Sequence, residues 1–213
     1  MDNLQSEKKS LVNVMVDIET LSLQPSAVVL AVAAVVFNME NGTIGEHFFA
    51  TLDVVPQVLK GRTMEKPTMN FWHNLPEKDK EWLTEKDKEL SPDNALWGLL
   101  GFLKRVGEGA SIQLWAQGSD FDFPILRSLS LTMLKTDIFQ NFDFHNFRDV
   151  RSAVWAFSYR PDDTPDWSQC RHKFGKDSQK HHPLNDCMNS IQLLCAACHY
   201  AVTQKGNTKT KER

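Results

Sequence analysis

The polarity pattern along the chain changes character several times. Residues 12–20 are mostly apolar and end in the acids Asp17 and Glu19 and in Thr20, which predicts a strand. A polar turn through Ser22 and Pro25 separates it from 27–37, a nearly unbroken apolar run of the kind found in strands covered on both faces. Asn41-Gly42 predicts a hairpin turn, and 46–53 reads as the returning strand. The opening is therefore predicted to be a three-stranded meander. From 65 to 106 the spacing lengthens to that of helices. Pro67 sits where a first turn would be, and Leu96, Leu99, Leu100 and Leu103 recur at helical intervals after the start signal Ser91-Pro92. Residues 110–118 read as a fourth strand, and the segment from Asp120 enters a helix. A further helix is predicted over 147–158, a Pro-, Asp- and Lys-rich loop over 159–180, and a long helix over 183–205.

Early strands, later helices and one strand set between helices predict an α/β or α+β layered fold. The chain has 213 residues, which suits one domain. That domain is expected over 12–205, between a flexible N-terminus, 1–11, and a flexible polar tail, 206–213.

Composition adds little to this. Apolar residues make up 41% and charged residues 24%, as in ordinary globular proteins. A net charge of -3 gives no general attraction to nucleic acid, so any such site needs a local basic patch or metal ions. The polar start, MDNLQSEKKS, does not read as a secretory signal, and no apolar run is long enough for a membrane span. A cytoplasmic location with reduced thiols is the expectation.

The candidate chemistry lies in three places. Asp17 and Glu19 end the first strand, and a period of two puts both carboxylates on one face, about 7 Å apart along the strand. Two such acids repel unless a cation lies between them, and hard divalent ions prefer an oxygen-only ligand set. By itself, an Asp-x-Glu of this kind is more often a solvated strand end. Asp120 and Asp122 follow the fourth strand, where either could equally be a helix N-cap. His181 stands five residues before Asp186, which falls in the first turn of the last helix. Histidine is the side chain best suited to exchange a proton near neutral pH, although a lone loop histidine is commonly just solvated.

Taken in order, Asp17-x-Glu19, the Phe121-Asp122 acid and His181-x4-Asp186 resemble the DEDD superfamily of 3'-5' exonucleases, the DnaQ-like nucleases on an RNase H-like fold, in its histidine-containing DEDDh branch. The likeness runs from about residue 12 to 203. Smaller segments, among them FRDVRSAVW and HHPLNDCMNSIQ, are similar to the phage and bacterial 3'-5' exoribonuclease-like group, with DexA-type and exodeoxyribonuclease VIII-like proteins. Gln117 stands where that group often has Asn, and Pro183 where it often has Ala; the H-x4-D spacing selects His181 over His182. The fold implied is α/β, RNase H-like, with a mixed central sheet flanked by helices.

The resemblance also implies a mechanism. Two divalent ions, Mg²⁺ with Mn²⁺ able to substitute, are held by Asp17, Glu19, Asp122 and Asp186, with Asp17, Glu19 and Asp186 on the first. His181 is the general base, and 5'-mononucleotides leave from the 3' end of single-stranded DNA or RNA. Thr20 and Leu21 border the terminal nucleotide. Trp72 and Phe71 are available for stacking, Trp115 reads as core, Asp120 as a cap or bystander, and Arg148 and Arg151 could contact phosphate or form surface ion pairs. Many relatives are homodimers, which makes a homodimer an expectation without an interface signature. The alternative from another class is a catalytically silent nucleic-acid- or protein-binding module, a reading that the complete set of acids disfavours. Two weaker motifs are a haem-like Cys195-x-x-Cys198-His199 inside an apolar helix, where core cysteines are expected, and an irregular zinc set of Cys170, His172, His181, His182 and Cys187.

Overall fold

A computed structural model describes residues 10–84, 89–158 and 181–208. Strand β1 (Ser10–Thr20) lies inside a six-stranded mixed sheet. It pairs antiparallel with β2 (Val29–Phe37), which pairs antiparallel with β3 (Ile44–Leu52), so the predicted meander is present. On its other side β1 pairs in parallel with β5 (Ala110–Ala116). Two short strands were not predicted. One is β4 (Glu89–Leu90), beside β3; the other is β6 (Phe147–Asp149), beside β5. Three residues of the helix expected from 147 are therefore strand, because the backbone of Phe147–Asp149 completes the exposed edge of β5 before α6 (Val150–Ser158) begins.

Helices cover both faces. The alternation along β1 sends Val14, Val16 and Ile18 into one core with α4 (Pro92–Val106) and α5 (Ser119–Leu134). It sends Met15 to the opposite face, where Val150 and Val154 of α6 and Ile191 and Leu194 of α7 (Pro183–Thr208) enclose it with Trp115. The last helix runs past its expected end at 205, and Ser10 and Leu11 are already strand. Trp115 is buried, with its indole N–H donating to Asn13 Oδ1 at 2.9 Å, as a core residue should. Among the described residues no helix is long and apolar enough to cross a membrane. The loop expected over 159–180 lies outside the described residues.

After β3 the chain forms α1 (Val54–Leu59), α2 (Lys66–Asn74) and α3 (Glu77–Lys80). The unpredicted α1 is short, and it carries one buried polar side chain, Gln57. That amide replaces a missing strand neighbour. Its Oε1 accepts from Val29 N at 2.8 Å, and its Nε2 donates to Val29 O at 2.8 Å and Asp53 O at 3.0 Å. Gln57→Ala would leave both backbone groups of Val29 buried without partners. The expected cost is about 2–6 kcal/mol, counting roughly 1–3 kcal/mol for each unsatisfied group. Denaturant unfolding should show it as a lowered midpoint with little change of slope.

Candidate active site

The site exists because β1 outruns β5. Their pairing ends at Met15–Trp115, whereas β1 stays paired to β2 as far as Thr20–Val29, with a register shift at Glu19/Thr20. Residues Asp17 to Thr20 thus line the end of the sheet with one side open. There Ile18 N–H has no strand partner, and Asp122 Oδ1 accepts from it at 3.2 Å. Asp122 reaches that position from the first turn of α5, across the break in the sheet.

Asp17 and Glu19 share the face of β1 covered by α7. Asp186, in the first turn of α7, meets them there. His181 precedes the helix in a left-handed conformation, φ 58°, which is uncommon for a residue other than glycine. Its ring lies edge-on to Phe71, centroids 4.9 Å apart, and 6.3 Å from Trp72. The neighbouring His182 turns away, stacks on Phe49 at 4.9 Å and accepts from Leu184 N–H at 3.3 Å through Nδ1. The two histidines therefore have separate tasks, and His181 is the one in the cleft.

Asp17, Glu19, Asp122, His181 and Asp186 line one cleft of about 440 Å³. Ligand-capable atoms of Glu19, His181 and Asp186 lie within 4.8 Å of one another, the one such group of three among the described residues. The resemblance puts Asp17, not His181, with that pair; Asp17 and Asp122 line the same cleft outside the 4.8 Å group.

Burial and crowding disfavour the ionised acids. Asp17 is held well above the usual carboxylate range, first by desolvation and then by Asp122, Glu19 and Asp186. Glu19 is pushed up to about 9 by burial, then by Asp186 and Asp122. Burial raises Asp122 to about 7, even though Ile18 N–H and Arg151 favour its charged form. Burial also raises Asp186, against the pull of His181 and a hydrogen bond from Asn189. Four desolvated carboxylates and one imidazole form the hard, mostly oxygen donor set that suits Mg²⁺ or Mn²⁺. The residues fit such ions.

A second hollow of about 340 Å³ adjoins the first, sharing Ile18, Glu19 and Phe121 with it. Leu23, Phe71, Trp72 and Thr20 line it. Of the residues expected there, Thr20 lines the hollow, but its hydroxyl donates to Ser22 O at 2.7 Å. Trp72 is only 7% exposed and donates from Nε1 to Thr20 O at 2.9 Å, so it is a wall; Phe71, 42% exposed, is the more accessible ring. Leu21 packs behind this wall with Trp72 and Trp82, and Leu23 takes the lining position. The loop is fixed by Glu65, whose carboxylate accepts from Ser22 Oγ at 2.8 Å and Leu23 N at 3.0 Å.

Other expectations resolve simply. Asp120 is exposed and caps nothing; Gly118 is the N-cap of α5. The cap's function falls to Asp149, missed in the sequence although its segment was noted. Its Oδ2 accepts from Gly118 N and Ser119 N, each at 3.1 Å, while Oδ1 accepts from Ser152 N and Oγ at 2.7 Å. Burial opposes its charge, but these bonds outweigh it and keep the carboxyl below its ordinary value. Arg148 donates to the carbonyls of His145 and Phe147, away from the cleft, whereas Arg151 lines it. Cys187 is buried with its thiol directed at Met15 O, and Cys195 and Cys198 are half-buried along α7. Cys170 and His172 lie outside the described residues.

With this geometry in place, the chain can be compared with known proteins. Residues 12–198 match the Rv2179c-like 3'-5' exoribonuclease domain. No curated protein matches the chain. Among solved structures, the nuclease domain of 3'hExo, a DEDDh family member bound to rAMP, is 12% identical, with a TM-score of 0.62 over 91% of this chain and 94% of that one. Cell-death related nuclease 4 (CRN-4) is 14% identical, with a TM-score of 0.58 over 88% of this chain and 64% of that one. E. coli Exonuclease I in complex with a dT13 oligonucleotide is 13% identical, with a TM-score of 0.57 over 88% of this chain and 41% of that one. This chain thus spans less than two thirds of the latter two. At these identities the likeness shows the fold, the RNase H-like fold of DnaQ-type exonucleases.

The charge cluster makes a prediction for the metal-free protein. Acids with folded pKa values raised above their unfolded ones are no burden below about pH 4 and weaken the fold as pH rises toward the folded values. Metal-free protein should therefore melt at a lower temperature at pH 8 than at pH 5.5. Asp17→Asn, which removes one charge at nearly constant shape, should raise the melting temperature at pH 8 and flatten this dependence. An unchanged or lower melting temperature would refute the electrostatic reading.

Proposed function

The chain belongs to the Rv2179c-like 3'-5' exoribonuclease domain family, and we propose that it is a metal-dependent exonuclease. It would hydrolyse phosphodiester bonds from the 3' end of single-stranded RNA or DNA and release 5'-mononucleotides. The observation that carries this reading is the convergence of Asp17, Glu19, Asp122, His181 and Asp186 in one cleft beside a largely apolar hollow.

Asp17, Glu19, Asp122 and Asp186 would hold two divalent cations, Mg²⁺ or, in its place, Mn²⁺. When bound, such ions reverse the sign of the cleft, admit a phosphodiester and polarise both water and phosphate. The chain's own residues do the rest. The hollow takes the terminal nucleoside, with Phe71 and Leu23 against the base and the Thr20 backbone, braced by Trp72, beneath the sugar. Leu21 supports that wall from behind. His181 accepts a proton from the attacking water at an imidazole nitrogen, and the helix start and the perpendicular Phe71 ring hold its ring in place. As the bond breaks, the 3'-oxygen of the preceding nucleotide leaves. A sheet end that supplies two acids on a rigid strand keeps the reacting groups aligned without reorganisation.

A 5'-labelled single strand incubated with Mg²⁺ or Mn²⁺ should shorten one nucleotide at a time from its 3' end. Excess EDTA and Asp17→Ala should each reduce this to background, and His181→Ala should lower kcat by roughly 10²–10⁴-fold. Persistence of activity in EDTA, or release of the 5' nucleotide first, would contradict the proposal.

A further inference from the structure

Two polar groups line the cleft but not the hollow. The first is Arg151, on the first turn of α6. It lines the cleft, is exposed, and among the described residues makes no hydrogen bond or contact ion pair, its nearest charge effect being on Asp122. It lies against Gly118. A Cβ at that glycine would come within 2.9 Å of Arg151 Nη1, and the glycine's φ of 122° is itself one that side chains rarely adopt. The close approach is held in place by Asp149, which ties the start of α5 to the start of α6 two residues before Arg151. The second group is Gln117, the residue after β5. Ser190 Oγ donates to its Oε1 at 2.7 Å, which fixes the amide and leaves Nε2, a donor, without a hydrogen bond among the described residues.

The arrangement has a direction. The hollow and the cleft share Ile18, Glu19 and Phe121, but Arg151 and Gln117 line only the cleft. A strand whose 3'-terminal nucleoside fills the hollow crosses the acids with its scissile phosphate and then runs past Arg151 and Gln117. In a cleft that also holds four acids, a guanidinium in no ion pair at contact distance among the described residues and a clamped amide donor match a phosphate diester.

We propose that Arg151, assisted by Gln117, binds the phosphate linking the second and third nucleotides counted from the 3' end, so that the enzyme measures at least three nucleotides of substrate. This rests on the exonuclease reading above and extends it to the 5' side of the scissile bond. Arg151 also neighbours Asp122, so a mere structural or electrostatic role must be separated from phosphate binding.

The test is a double cycle. Wild type and Arg151→Ala are each assayed on two oligonucleotides, one with normal linkages and one with a neutral methylphosphonate at the linkage between the second and third nucleotides. In the wild type the neutral linkage should lower kcat/KM about tenfold, mainly through KM, as expected for loss of one charge-assisted hydrogen bond. Arg151→Ala should show a similar loss on the normal substrate and almost no further loss on the neutral one. Arg151→Lys should recover part of the sensitivity. If the two losses multiply, Arg151 does not meet that phosphate and the inference is wrong, although the wild type still cleaves. If the wild type cleaves nothing, the exonuclease reading fails and takes this inference with it.

Discussion

Everything at this site follows from one constraint: four carboxylates are kept partly or wholly out of water within one cleft. Isolated burial of a single charge is costly, and placing like charges beside it is worse. The chain accepts this where β1 continues beyond β5, since an open strand edge offers backbone donors and a rigid platform but no neighbouring strand. Asp122 takes the place of that neighbour at Ile18 N–H, so the same carboxylate that completes the sheet's hydrogen bonding also completes the acid cluster. The core beneath is stiff on both sides of β1, with Val14 and Val16 on one face and Met15 on the other. That rigidity prevents the acids from relaxing apart.

The surrounding elements can be understood as supports for this cluster. Helix α7 delivers Asp186 and, just before its first turn, His181. Residues Phe71 and Trp72 of α2 hold the imidazole from the other side, and Trp72 also fastens the backbone at Thr20. Asp149 joins the starts of α5 and α6, which positions Asp122 and Arg151 relative to one another. Parts of the chain far apart in sequence thus meet at one sheet end, a common location for sites in open α/β sheets.

Much of this was legible in the sequence. The apolar run at 27–37 and the Asn41-Gly42 turn declared the meander, because a strand covered on both faces has few polar positions to obscure its pattern. The acids were readable as a set through their order, though none was decisive singly. Short elements were not readable. The strands at Glu89–Leu90 and Phe147–Asp149 are too brief for a period of two to register, and both form because an adjacent strand offers an edge. Leu23 was missed because an exposed leucine in a polar turn carries no local signal, and it becomes a lining residue only through Glu65, 42 positions away. Asp149 looked like part of a helix, whereas its function is to cap two.

Metal binding tests the central claim, that this charge cluster persists because cations occupy it, more directly than turnover does. Calorimetric titration of the metal-free protein with Mn²⁺ should give saturable binding accompanied by proton release, since carboxyls raised by burial must ionise to coordinate. The same titration of Asp17→Asn should give much weaker binding. Absence of binding by the wild type, or binding untouched by loss of Asp17, would contradict the claim.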